Sequence, residues 1–320
     1  MKAIRVHQFG GPDSMVLEAV EPPEPAEGQV RVTIAAAGIN PVDTYIRSGT
    51  YHIKPDLPYT PGMDGAGRID AIGPGAESFS VGDRVYCAGS LSGTYAEQAV
   101  CDRRRVFPLP DSISFTQGAS VGVPYGAAYH GLFHRAHALP GELVLVHGAT
   151  GAVGTAAVQL AKSHGMKVVA TGGTEQGRHR IAGQGADRVL DHHSPDYLDV
   201  LMAWTGGRGV DVVVEMLANV NLGKDLKILA PGGRVVIVGS RGEVQINLRD
   251  AMQRNASVLG MLLASVSAEA FERIHTALGA GLANGTLAPT VAKEIPLADA
   301  PAAHRRILEP GTEGQLVLIP

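Results

Sequence analysis

Cysteine is almost missing from this chain: Cys87 and Cys101 are the only two in 320 residues. Two cysteines make no disulfide scaffold, and a chain this long can bury enough apolar surface to fold without one. Aromatic residues reach only 5% and charged residues 18%, with a net charge of −4. That balance gives no electrostatic reason to expect a nucleic-acid partner, and no RNP-type motif is present. The single dense basic run, Arg103-Arg104-Arg105, reads as a solvated turn. No stretch reaches the roughly 18–20 apolar residues that span a bilayer. The opening MKAIRVHQFGG reads as a strand and a turn with no apolar h-region, so no signal peptide is expected. A soluble, cytoplasmic protein without a membrane partner is the expectation.

Glycine, by contrast, is abundant, with 41 residues and no collagen period, which indicates many tight turns and close backbone approaches. The length suits two domains. Residues 1–120 carry short strand-like runs broken by Gly and Pro, such as Val30–Ala35, Gly67–Ile72 and Gly82–Val85, with a short helix near Asn40–Ser48. After about residue 120 the rhythm changes. Strand-like Glu142–His147 leads to a helical stretch from Val153 to His164 and then to strand-like Lys167–Thr171. Further strand signals follow at Arg188–Leu190, Val210–Glu215, Arg234–Gly239 and Ser257–Leu262. This alternation predicts a parallel sheet covered on both faces, hence an α/β fold. From 267 the rhythm breaks: a helix at Ala268–Ala283, a strand near Val291–Ile295, a helix at Ala298–Leu308 and a last strand, Gln315–Ile319. These elements are expected to return to the first domain and make it discontinuous.

The strongest local motif is Gly148-Ala149-Thr150-Gly151-Ala152-Val153-Gly154, a GxxGxxG turn between a predicted strand and a predicted helix. Small residues permit the turn and let the backbone approach a pyrophosphate, and the helix N-terminus offers N–H groups and a positive dipole end. The next strand exits into Thr171-Gly172-Gly173-Thr174 without a carboxylate at its tip. An NAD site usually places Asp or Glu there for the ribose 2′-OH. Glu175 comes slightly later, while Arg178 and Arg180 follow on the next helix. Space plus a cation favours a 2′-phosphate, so NADPH is the expected cofactor. The alternative is that these arginines merely solvate a surface helix.

Longer runs carry a resemblance. Asn40–Tyr51, Pro58–Gly62, Glu215–Leu222 and Val238–Gly242 resemble the medium-chain dehydrogenase/reductase superfamily, specifically its zinc-free, zeta-crystallin-like NADPH:quinone oxidoreductase branch, over nearly the whole length. The resemblance implies a GroES-like β-rich domain formed by residues 1–124 and 265–320, and a Rossmann doubly wound parallel-sheet domain, residues 125–264. The active site would lie in the cleft between them. Zinc enzymes of the superfamily carry an early ligand cysteine and a Gly-His-Glu segment. Here Asn40 and Met63 look like the corresponding residues, and neither is a zinc ligand. The cysteine-rich structural-zinc lobe is also missing. No metal is therefore expected.

Without a Lewis acid, a good electron acceptor is the natural substrate, and the resemblance implies small quinones, reduced either one electron at a time to semiquinones or by a two-electron hydride step. It places Asn40, Tyr45 and Tyr51 beside the acceptor as catalytic candidates; the alternative for both tyrosines is bracing of the domain packing. On the cofactor side the candidates are Asn40, Gly148, Gly151, Ala152, Val153, Gly173, Thr174, Arg178, His192, Met216, Leu217, Gly239 and Ser240. Reduction of the C=C bond of 2-alkenals or enones is the second function considered. AU-rich RNA binding or a structural, crystallin-type role is the third, with weak support from charge and composition. Ser257–Leu262 reads as an outer sheet edge, and relatives pair it in homo-oligomers, either dimers or tetramers.

Overall fold

The computed structural model describes residues 1–320, which divide into two units, Met1–Pro124 with Ala268–Pro320, and Tyr125–Ser267. The first unit begins with β1 (Lys2–Val6) and β2 (Met15–Ala19), an antiparallel pair. Next come β3 (Gln29–Ile39) and α1 (Pro41–Ser48), then β4 (Asp64–Ile72), β5 (Arg84–Ala88), β6 (Gln98–Asp102) and β7 (Val106–Pro108). β3 is the organising strand, pairing antiparallel with both β4 and β6. Helix α1 is set by local chemistry. Pro41 opens it, and the Asn40 and Asp43 side chains exchange hydrogen bonds with each other's backbone in a capping box. Gly49 closes it at φ 75°, in the left-handed region.

The chain passes through α2 (Phe115–Gly118) and α3 (Gly122–Tyr129), then a π-helical stretch, His130–Arg135. The second unit follows as β8 (Leu143–Val146), α4 (Ala152–Ser163), β9 (Lys167–Gly172), α5 (Glu175–Gly183), β10 (Arg188–Asp191), α6 (Tyr197–Trp204), β11 (Val210–Glu215), α7 (Ala218–Ile228), β12 (Leu229–Ile237), α8 (Leu248–Met252) and β13 (Ser257–Gly260). All pairings are parallel, and the strand order is β10-β9-β8-β11-β12-β13. This is the doubly wound order that reverses between the first strand and the fourth, here β8 and β11. Strands β8 and β11 are buried at every residue, as expected of central strands covered on both faces. Leu145, Val169, Val213, Leu201 and Leu226 join one core there. β12 starts earlier than Arg234 and stops at Ile237; its first residues pass through the exposed turn Pro231-Gly232. β13 ends the sheet with a partner on one side only, and Val258 and Leu262 are each 41% exposed.

The C-terminal part comprises α9 (Ala268–Ala283), β14 (Val291–Pro296), α10 (Ala300–Arg306) and β15 (Gln315–Ile319). β14 pairs with β15, and β15 pairs antiparallel with β3, at Leu316–Ile39 and Leu318–Ala37. The returning segment thus completes the first unit's seven-stranded sheet. Val32, Ile39, Ile69, Tyr95, Leu316 and Leu318 share its core. No helix is long and apolar enough to cross a membrane.

Candidate functional site

In the second unit, the glycine motif forms the turn from β8 into α4. Gly148 sits at φ 56° and Gly151 is the N-cap of α4. At Gly154 a Cβ would lie 2.4 Å from Gly148 O and 2.5 Å from Ala149 Cα, so only glycine lets the helix rest on the turn. Around Gly151 the nearest neighbour of a Cβ is Gly148 O at 3.5 Å, which leaves the helix N-terminus open to an anion. Ala152 and Val153 form the first turn of α4 and are half-buried.

The strand end after β9 has a different character. A Cβ on Gly173 would come within 2.8 Å of His193 Nε2 and 3.0 Å of His192 Nε2. The two imidazoles thus stand over a glycine-sized gap. The Thr174 hydroxyl accepts from Gly177 N–H and caps α5. Arg178 donates to the carbonyls of Gly172 and Gly173 and forms an ion pair with Asp191 at 2.8 Å. The His193 N–H and the Arg178 charge hold Asp191 below the ordinary carboxylate range. Arg178 therefore ties the β9 tip to Asp191 at the end of β10. At the β11 and β12 ends, Ala218 N–H donates to Gly239 O, and a Cβ on Gly239 would strike Met216 O at 2.6 Å. This contact brings Met216, Leu217 and Gly239 together. Ser240 is exposed, and its hydroxyl donates to Gly242 O.

In the first unit, Asn40 is 2% exposed. Its Nδ2 donates to Asp64 Oδ2 at 2.9 Å and its Oδ1 accepts from Gln315 Nε2 at 3.3 Å. The amide orientation is thereby fixed, and a second Nδ2–H remains beyond the one given to Asp64. Tyr45 and Tyr51 belong to one turn: the Tyr45 carbonyl accepts the N–H groups of Thr50 and Tyr51. Tyr51 packs against His52, with ring centroids 4.2 Å apart, and partial burial pushes its phenol up.

Several polar residues beside these candidates were not singled out as functional from the sequence. Asp64 is fully buried, accepts from Val123 N–H at 2.9 Å as well as from Asn40, and is pushed up to about 7 by burial. Asp43 is also pushed up to about 7 by burial, and accepts from Asn40 N–H and, at 3.3 Å, from the Tyr95 hydroxyl. His304 Nε2 lies 3.1 Å from that same hydroxyl. The available signal was polar residues set among apolar ones, at Asp64 at the start of β4 and at His304 in α10.

Residues 26–111 match the family described as the alcohol dehydrogenase GroES-like domain, and residues 152–279 match the zinc-binding dehydrogenase family. Over 321 residues the chain is 45% identical to the quinone oxidoreductase of Homo sapiens, covering 100% of this chain and 98% of that protein. The Rattus norvegicus quinone oxidoreductase is 46% identical with the same coverage. Among solved structures, Escherichia coli quinone oxidoreductase complexed with NADPH superposes with a TM-score of 0.89 at 32% identity, over all of both chains. The zinc in one family's description finds no matching donor set at Asn40 and Met63. Asn40 presents an amide already bonded to Asp64 and Gln315, and Met63 is a thioether, a poor partner for a borderline cation. With near-complete coverage at this identity, the chain belongs to the quinone oxidoreductase family of the medium-chain dehydrogenase/reductase superfamily.

Proposed function

We propose that the protein is an NADPH-dependent quinone oxidoreductase that works without a metal. The observation that carries this reading is the open, glycine-built helix N-terminus at the switch point of the doubly wound sheet, joined to the family membership. NADPH, when bound, supplies reducing equivalents from its dihydronicotinamide ring. The backbone from Gly148 to Val153 holds the pyrophosphate. Gly173, lacking a side chain, lets His192 and His193 close over the β9 tip, and the adenosine ribose lies beside them with Thr174 and Arg178. Arg178 exchanges Asp191 for the 2′-phosphate, and the lack of a carboxylate at the β9 tip supports NADPH over NADH. Met216, Leu217, Gly239 and Ser240 line the nicotinamide end of the groove. In the first unit, Asn40 orients an acceptor carbonyl through its remaining Nδ2–H, and Tyr45 and Tyr51 present rings for a planar acceptor to stack on.

Two further parts of the reading concern context. The exposed apolar β13 edge supports pairing with a second copy of the chain. A cytoplasmic location is supported by two buried thiols that are free, Cys87 and Cys101.

The test is a titration with NADPH and NADH, followed by oxidation of the bound nucleotide with 1,2-naphthoquinone or a 2-alkenal. Tighter NADPH binding with turnover on the quinone is the expected result. Turnover on the alkenal alone moves the activity to C=C reduction. Failure to bind either nucleotide overturns the assignment.

A further inference from the structure

Three ionisable side chains with no part in the scheme above lie together at the carboxyl ends of β8 and β11. His147 directly precedes the glycine turn, Glu215 ends β11, and Asp225 stands on α7. His147 is 4% exposed and both acids 0%. His147 Nε2 is 2.9 Å from Asp225 Oδ1 and 3.6 Å from Glu215 Oε2. Glu215 Oε1 accepts from Leu217 N–H and from Asn221 Nδ2. Glu215 Oε2 and Asp225 Oδ2 are left as buried oxygens without a donor, although their two carboxyl groups lie in hydrogen-bonding relation to each other.

Two carboxylates cannot bond to each other unless one carries a proton, and two adjacent buried negative charges repel strongly. Burial keeps the imidazole in its neutral form, so it cannot cancel both charges. The other titratable groups facing the cluster are Lys224 on α7, Tyr197 on α6 and His192 after β10. None of them gives either orphaned oxygen a hydrogen bond. A single proton between the two oxygens satisfies both at once.

We propose that Glu215 and Asp225 share one proton, and that this acid pair, with His147 as donor, is a positioning unit for the nucleotide-binding strand ends. The connections are direct. His147 N–H donates to Val214 O, and the Glu215 carbonyl accepts from Val238 N–H at 2.9 Å and Gly239 N–H at 3.3 Å. Glu215 therefore ties together, through main chain and side chain, the segments bearing Leu217 and Gly239, while His147 leads into Gly148. Loss of the proton sets Asp225 and Glu215 against each other and loosens these ties. The inference rests on the nucleotide-binding reading for its consequence, but not for the proton itself. Burial pushes both acids up to about 7, so the proton leaves as the pH rises above neutrality.

Asp225→Asn tests this, because its amide donates permanently to Glu215 Oε2 and still accepts from His147. Two measurements are made on the full-length protein. The first is the infrared carbonyl stretch of protonated carboxyl groups without nucleotide at pH 6–7, recorded as wild type minus variant because Asp43 and Asp64 are also buried acids. The second is the NADPH Kd from pH 7 to 9, where the nucleotide phosphates no longer titrate. We expect a difference band that fades as the pH rises. We also expect a wild-type Kd that climbs toward about tenfold per pH unit, as a one-proton linkage requires, against a flat profile for Asp225→Asn. No difference band, or parallel pH profiles, overturns the proposal. So does one equivalent of a divalent metal in the purified protein, since a cation would then fill the place of the proton. If wild type binds no NADPH at any pH, the nucleotide reading fails while the infrared band still decides the shared proton. Glu215→Gln gives the same two readouts should Asp225→Asn not fold.

Discussion

Gly154→Ala isolates the contact on which the nucleotide turn depends. The added methyl would sit 2.4 Å from Gly148 O and 2.5 Å from Ala149 Cα, both main-chain atoms that no rotamer change can move. Restoring ordinary contact requires the turn and α4 to part by about 1 Å. An N–H···O bond of about 2.9 Å to a phosphate oxygen would then open to about 3.9 Å, beyond hydrogen-bonding range. A hydrogen bond to a charged group contributes about 1.5–3 kcal/mol, so NADPH Kd should rise by roughly 10- to 100-fold. Overpacking should also cost about 1–3 kcal/mol of stability, partly offset by up to about 1 kcal/mol from replacing a helical glycine with alanine. Gly151→Ala is the control for stability, because its methyl meets nothing closer than 3.5 Å and its φ of −75° suits any residue. Calorimetric NADPH titration and thermal melting of the three proteins decide the matter. Gly154→Ala with unchanged melting and a Kd within about twofold of wild type would refute the steric argument. Equal loss of stability in both variants would do the same.

Arg178→Ala should weaken NADPH by about tenfold or more while leaving NADH within about twofold, as read by the ratio of their kcat/KM values. Asn40→Ala should lower kcat with the quinone by at least about tenfold with a smaller change in the NADPH Kd, as read by steady-state and binding assays; a larger effect on Kd would move Asn40 to the cofactor side. His275 is buried, 3.0 Å from the Tyr86 hydroxyl and stacked on Phe107, and burial pulls it down to about 3. Its unfolded form takes up a proton below about 6.5 while its folded form does not, so its contribution to stability is lost as pH falls from there toward 3. Denaturant unfolding of wild type should therefore show a steeper acid loss than His275→Gln, by up to about 1.4 kcal/mol per pH unit, and parallel curves would reject this.

The parallel-sheet unit was the more legible half. Leu143–Val146 and Val212–Val214 are continuous apolar runs because both faces of a central strand are covered, and β11 occupies the expected residues. α4 was also readable, since the glycine motif marks its start within one residue. Strands β2, β6 and β7 were not read, being at most five residues long, and β6 pairs with β3, far away in sequence. The same limit hid the polar clusters. His147 and Glu215 become neighbours only because strand order places β8 beside β11. Asp225, in a Gly-Lys-Asp-Leu-Lys stretch, looks like one more surface charge until α7 turns it inward. Likewise His304 reaches Tyr95 across a separation of 209 residues.

β15 has a consequence for the order in which the chain takes shape during synthesis. Gln315 bonds to Ile39 O and to Asn40 Oδ1 across 276 and 275 residues. The doubly wound unit, Tyr125–Ser267, needs only residues made before it is complete, so it can settle while the ribosome is still working. Asn40, the residue expected to handle the acceptor, has Asp43 and Asp64 as early partners, but its Oδ1 gains the Gln315 donor only when that residue has emerged. A nascent chain interrupted before that point would carry a complete doubly wound unit beside an Asn40 whose amide oxygen still lacks its last donor.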